Sequence, residues 1–244
     1  MDAFTIAATI AAVIAGAIAA IAGFGIGSVL TPVVATQLDV RLAIAVVSLP
    51  HLAGTLARFL VVRTHIDREV LLGFGAASAI GGLTGAALQT VVQSAALAVV
   101  FGALLVFAGL GSLTGFAQRM RFSGRRSALV GGALSGLLGG LVGNQGGIRA
   151  AALLGFDVQR EAFVATATAV ALIVDGARIP VYLASQGADL ISRWPLIVAL
   201  AAGAVAGTFV GVRALRRMDE SVFRRVVGVL LVLLGAYTLT RAFS

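Results

Sequence analysis

With 244 residues, of which 59% are hydrophobic and 11% charged, and a mean hydropathy of +1.05, the chain is too apolar for a soluble domain and reads as a membrane protein. A hydrocarbon core about 30 Å thick takes roughly 20 helical residues to cross, so there is room for about eight spanning segments with short loops and none for a soluble catalytic domain. The absence of cysteine excludes disulfides and thiolate chemistry, and the formal charge of +8 comes from arginine alone, gathered in loops beside apolar runs, which fits the positive-inside rule rather than nucleic-acid binding.

The first apolar run, Phe4 to Ala22, follows Asp2 and no positive charge, so it is expected to be retained rather than removed as a secretion signal. A glycine cluster, Gly23-Phe24-Gly25-Ile26-Gly27, separates it from a second run, Ser28 to Thr36. Leu42 to Val62, Val70 to Val92 and Ala95 to Phe116 are long enough to span. The second half opens with Ala128 to Val142, a second cluster, Gly143-Asn144-Gln145-Gly146-Gly147, and Ile148 to Phe156. Glu161 to Ala184, Trp194 to Val212 and Val222 to Thr240 complete the chain. The four runs beside the clusters read as short, and glycines packed together at membrane depth weaken a helix, so each pair is expected to be one broken hairpin.

The two halves share a pattern. FGALLVFAGLGSLTG from Phe101 aligns with VGVLLVLLGAYTLTR from Val227, keeping Gly102 with Gly228 and Gly109 with Gly235. With small loop shifts the alignment brings Asp67 onto Asp189, Arg58 onto Arg178 and one glycine cluster onto the other. Residues 1–117 are therefore expected to be a first transmembrane repeat, 118–127 a basic cytoplasmic linker, and 128–244 a second repeat. If each broken pair returns to the side it entered, the arginine-rich stretches Gln118 to Arg126 and Arg213 to Arg225 both face inward. If each pair crosses once, the second stretch faces outward, against the usual bias. The expected fold is all-α and polytopic, with two inverted-topology repeats, each a broken or re-entrant hairpin plus three transmembrane helices. Gly81 and Gly85, with Gly203, Gly207 and Gly211, are expected to let helices pack closely.

AGFGIGSVLTPVV at Ala22 to Val34, the polar-spotted helix through Ser48, Pro50 and Arg58, and GGLVGNQGGIRAAALLGFDV at Gly139 to Val158 resemble the TauE/SafE family of membrane anion permeases. The resemblance implies transport of sulfite, sulfonates or related sulfur oxyanions, most simply export across the inner membrane of the cell. Family members carry a glycine-rich segment leading to a proline in each half. Here no proline follows the second cluster, and Arg149 stands in its place.

Read from the residues, a helix interrupted inside the membrane offers unpaired N–H groups at the new N-terminus, which attract an anion without a catalytic side chain. The candidate substrate site is Gly25, Gly27, Ser28 and Thr31 with Asn144, Gln145, Gly146, Gly147 and Arg149. For Arg149 the alternative is a folding role, paired with Asp175 or with carbonyls of the broken turn. Arg58 and Arg178 are gating or pathway candidates, although snorkelling to the interface is the simpler account. Asp175 has the spacing to pair with Arg178 or to carry a proton. His51 follows Pro50, which frees the Val46 carbonyl, so it is a gating or proton-coupling candidate. Ser48, Thr55, Thr166 and Thr168 read as helix–helix hydrogen bonds, and His65 to Glu69 as a solvated loop. No enzyme constellation, metal spacing or cofactor site is evident. The expected partners are a small anion and the lipid bilayer, with no nucleic acid. Protons or sodium ions are the candidate coupling ions and a homodimer the candidate assembly. An anion channel, a non-transporting assembly subunit and an intramembrane enzyme are the alternatives.

Overall fold

The computed structural model describes residues 2–22, 25–115, 125–143, 146, 149, 153, 160–214 and 220–243. Among them every regular element is helical: α1 Ala3–Ala22, α2 Ile26–Val34, α3 Val40–Val62 with a 3₁₀ turn Arg63–His65, α4 Arg68–Val91, α5 Ser94–Thr114, α6 Arg125–Val142, α7 Arg160–Ser192, α8 Trp194–Ala214 and α9 Glu220–Ala242. Asn144, Gln145, Gly147 and most of the run Ile148 to Phe156 lie outside the described residues. So does most of the expected linker, although α6 already begins at Arg125.

Seven of these helices are long and apolar enough to cross a bilayer. Their outward faces carry Ile10, Leu72, Ile80 and Leu233, which lipid accommodates and water does not. One expectation needs correcting here. The run before the first glycine cluster is not short: α1 has 20 residues, about 30 Å at 1.5 Å per residue, a full membrane thickness. The nine-residue α2 covers less than half of that, about 14 Å.

Local chemistry sets the helix ends. Asp2 accepts the Thr5 amide at 2.8 Å, and its hydrogen bonding with Thr5 holds the carboxyl below its usual range. Asp39 caps α3 by accepting from the Arg41 amide at 2.9 Å, and Asp67 caps α4 by accepting from Val70 at 3.0 Å. Asp67 is thus a capping residue, not part of a solvated loop. The helix starts also correct its repeat partner: α4 begins after Asp67 and α8 after Arg193, so Asp67 corresponds to Arg193 rather than Asp189. The shift arises because α7 runs on past a non-helical residue, Gln186, where the first half breaks at Ile66.

Long helices α3 and α7 form the centre, with unbroken buried stretches from Ala43 to Ser48 and from Ala165 to Ala171. A helix apolar and covered on all sides has to be internal. Around them, each glycine stripe packs on the helix that precedes the break in the other half. In α4, a Cβ on Gly85 would lie 2.0 Å from the Leu137 carbonyl oxygen of α6; in α8, one on Gly207 would lie 2.0 Å from that of Val13 in α1. Chain numbers rise together along both contacts, Gly81 to Ala133 then Gly85 to Leu137, and Gly207 to Val13 then Gly211 to Ala17, so both pairs are parallel. Helices α5 and α9 cross the other way: Gly102 faces Gly235, and Gly109 faces Gly228, making this pair antiparallel.

These contacts separate two glycine substitutions. Gly85→Ala meets backbone and is expected to destabilise the protein by about 1–3 kcal/mol. Gly176→Ala, at an exposed position of α7, has nothing within 4 Å of the new methyl and is expected to raise stability by about 0.5–1 kcal/mol. Thermal unfolding in detergent measures both.

Candidate functional site

The first break owes its shape to Gly25, whose φ of 141° is closed to ordinary L-residues. The chain doubles back here, since a Cβ on Gly25 would come 2.8 Å from the Ile18 side chain. Among the described residues no side-chain cap hydrogen bond closes the N-terminus of α2 that follows. The second break starts at Gly143, φ 73°, the left-handed residue that ends α6.

The two breaks meet. A Cβ on Gly27 would sit 2.4 Å from the Gly143 carbonyl oxygen, and one on Gly143 would sit 3.9 Å from the Thr31 hydroxyl and 3.5 Å from Nη1 of Arg178. Gly146, just beyond the second break, is buried as well. Thr31 and Ser28, on α2, are also buried, and the Thr31 hydroxyl has no hydrogen-bond partner among the described residues.

Around this meeting point lies a chain of charged groups. Pro50 contributes no N–H to α3, and the ring of the next residue, His51, places Nδ1 2.7 Å from Oδ2 of Asp175 on α7. Oδ1 of Asp175 accepts from Arg178 Nε at 2.9 Å and lies 2.8 Å from its Nη2. The carboxylate therefore receives a two-pronged guanidinium contact from its own helix and an imidazole contact from the other half. Arg178 extends the chain by donating from Nη1 to the Gly139 carbonyl at 2.8 Å. Tyr182 donates its hydroxyl to the Gly140 carbonyl and lies with its ring 6.0 Å from the Arg178 guanidinium.

Two further arginines are buried nearby. Arg149 donates from Nη1 to the Ala167 carbonyl at 3.2 Å, and its Nε and Nη2 have no partner among the described residues. It is 3% exposed and forms no ion pair with Asp175 among them, and the carbonyl it does reach, that of Ala167, belongs to α7 rather than to the broken turn. Arg58 donates from Nη1 to the Ala19 carbonyl of α1. Neither Arg58 nor Arg178 snorkels: they are 6% and 1% exposed, because each has a carbonyl within reach inside the protein.

Thr166 does bridge elements, accepting the Asp67 amide at 3.0 Å. Ser48 and Thr168 instead bond carbonyls of their own helices, those of Ala45 and Val164. Sequence reasoning passed over Tyr182, although it lies one turn after Arg178 and is one of two tyrosines in the chain. It also missed Gln89 and Gln186, which bond at 3.3 Å across the two halves; their separation in sequence carries no local signal.

A family model described as Sulfite exporter TauE/SafE matches residues 8–238. The chain belongs to the TauE/SafE family. No curated protein and no solved structure matches it. TauE/SafE is a family of sulfite and anion exporters, and both breaks and every charged group just described fall within the matched span of this membrane protein. What the arrangement offers such a protein is a buried, cation-rich centre with donors left over.

The Asp175–Arg178 pair has a measurable signature. Removing one member of a buried pair strands the other, at a cost of about 3–5 kcal/mol. Arg178→Gln is therefore expected to lower the detergent melting temperature sharply, and Asp175→Asn added to it is expected to recover most of the loss.

Proposed function

We propose that the chain is an anion permease of the cell's inner membrane that exports a small sulfur oxyanion, sulfite or an organosulfonate, by alternating access. The observation that carries this reading is Arg149. A guanidinium buried at membrane depth is costly unless its donors are used, and here Nε and Nη2 have no partner among the described residues. Two adjacent donors in a planar fork match an oxyanion. The Thr31 hydroxyl, without a partner among the described residues, supplies a third donor, and the N-terminus of α2, at Gly25, Gly27 and Ser28, a partial positive charge. Asn144, Gln145, Gly146 and Gly147 complete the site from the second half.

The halves, 1–117 and 128–244, are inverted about the linker 118–127 in this proposal. Helix direction supports it. Between α5 and α9 the chain passes through the second broken pair, α7 and α8. If that pair crossed the membrane, α5 and α9 would run parallel; they are antiparallel. Likewise α1 and α8 would be antiparallel if the first pair crossed, and they are parallel. Both directions support hairpins that return to the side they entered, as in inverted-repeat transporters. With the arginine-rich linker inside, the inside-negative potential contributes about 2.3 kcal/mol per charge per 100 mV toward expelling an anion, so export needs no coupling ion. His51 and Asp175 form the pair suited to proton coupling where uptake is driven.

In proteoliposomes, sulfite flux is expected from the wild type, with saturation that a channel would lack. Arg149→Gln is expected to raise the half-saturating sulfite concentration about tenfold or more, the loss of one to two charge-assisted hydrogen bonds. His51→Gln is expected to abolish any dependence of flux on a proton gradient. No flux of sulfite or of a panel of sulfonates and carboxylates would overturn the reading. Topology is tested separately, using the natural lack of cysteine. Single thiols at Thr64 and Gly187, at the matching ends of α3 and α7, are expected to label from opposite sides, and labelling from one side would defeat the inversion.

A further inference from the structure

Arg58 and Arg178 make the same contact in their own halves. Each donates from Nη1 to a backbone carbonyl 39 residues earlier in the chain, Ala19 and Gly139 respectively. Each of those carbonyls lies three residues before the end of a helix that stops at a glycine break, Ala22 in α1 and Val142 in α6. Near a helix C-terminus carbonyls lose their intrahelical partners and the end carries partial negative charge; the Gly139 carbonyl accepts the Gly143 amide at 3.0 Å, and Arg178 adds a second donor to it. A buried guanidinium there supplies both a donor and a cation, as basic side chains do at helix C-termini.

The contact spans elements that chain connectivity leaves free to part. In the first half it ties α1 to α3 across the break and α2; in the second it ties α6 to α7 across the second break. We propose that Arg58 and Arg178 are positioning residues that brace the two broken helices. Each fixes the C-terminal stump of its hairpin to the long central helix of the same half, so that each hairpin moves with α3 or α7 as one body. The role differs from that of a substrate ligand. Arg149, whose remaining nitrogens are unused, holds the anion, whereas Arg58 and Arg178 spend a donor on the scaffold. The braces also differ from each other. Three residues before Arg178 stands Asp175, which holds its guanidinium by Nε and Nη2; three before Arg58 stands Thr55, and Nε of Arg58 has no partner among the described residues. The first brace is therefore held by its carbonyl contact alone among the described residues.

The part of this inference that concerns motion rests on the permease reading; the contact itself does not, and the test separates them. Hydrogen–deuterium exchange is measured on the whole protein in detergent, together with sulfite flux in proteoliposomes. Arg58→Gln is expected to speed amide exchange in the last turn of α1 by about tenfold or more while the last turn of α6 stays protected. Arg178→Gln combined with Asp175→Asn, which leaves no stranded charge, is expected to do the converse. Both are expected to lower the maximal sulfite flux with less than about a twofold change in half-saturating sulfite, unlike Arg149→Gln. Arg58→Lys, which keeps a cationic donor, is expected to restore protection in part and provides the comparison if Arg58→Gln gives no folded protein. Unchanged exchange in the stump, equal deprotection of α1 and α6 in either variant, or a rise in half-saturating sulfite matching that of Arg149→Gln would overturn the brace. Should the wild type carry no sulfite, the permease reading falls, and the exchange measurement still decides whether the braces exist.

Discussion

A polypeptide inside hydrocarbon has to satisfy its own backbone, and a helix that stops at membrane depth violates that requirement at both new ends. On the re-entrant reading this chain does so at Gly25 and at Gly143, and much of the buried centre lies around these two breaks. The carbonyl ends left by α1 and α6 are met by Arg58 and Arg178 and, at Gly140, by Tyr182. Among the described residues the amide end opened at α2 has no side-chain cap. The two kinds of end are thus treated differently. The carbonyl ends receive donors from arginine and tyrosine, whereas the Thr31 hydroxyl, at the point where the breaks meet, has no partner among the described residues.

The scaffold is close to symmetric, and the charges placed on it are not. Helices α4 and α8 pack on α6 and α1 in the same manner, and the glycines of α5 and α9 face each other in reciprocal register. Yet the central carboxylate, the unsatisfied arginine and the tyrosine come from the second half, while the histidine that touches the carboxylate comes from the first. On the permease reading, a symmetric frame would make two conformations of similar energy available, and asymmetric charges would give the centre one defined set of donors. Asp175 is where the two properties join, because its two oxygens face different halves: Oδ1 holds Arg178, and Oδ2 holds His51.

The membrane class, the positions of the long helices and both breaks were legible in the sequence, because apolar runs and clustered glycines act locally. So was the Asp175–Arg178 pair, which is one helical turn in extent. The length of α1 was misjudged because proximity to the glycine cluster was taken for shortness, although twenty apolar residues precede the break. The His51–Asp175 contact joins residues 124 apart and has no local signature. Snorkelling for Arg58 and Arg178 seemed sufficient while their carbonyl acceptors were unknown; those lie on helices that only the folded hairpins bring alongside. Asp67 was aligned with Asp189 because both are acidic, whereas helix boundaries pair it with Arg193, a position where capping chemistry was not kept.

On the permease reading, the hydrogen bonds that α7 makes to α3 and α4 are among those a rocking motion has to break. Helices α3 and α7 run antiparallel, and among the described residues α7 is hydrogen-bonded to the first half at three levels. The Asp67 amide meets Thr166 near the start of α7, His51 meets Asp175 in the middle, and Gln186 meets Gln89 at the kink near the far end. The outer two are single bonds between neutral groups, worth about 0.5–1.5 kcal/mol each. The central one involves a buried carboxylate that also holds Arg178, so separating it strands charge at a cost of several kcal/mol. Of these three contacts, the outer two are therefore far cheaper to part than the central one. On the permease reading, the middle contact acts as the pivot, the two ends exchange roles as gates, and the kink at Gln186 sits where the chain already departs from helical geometry.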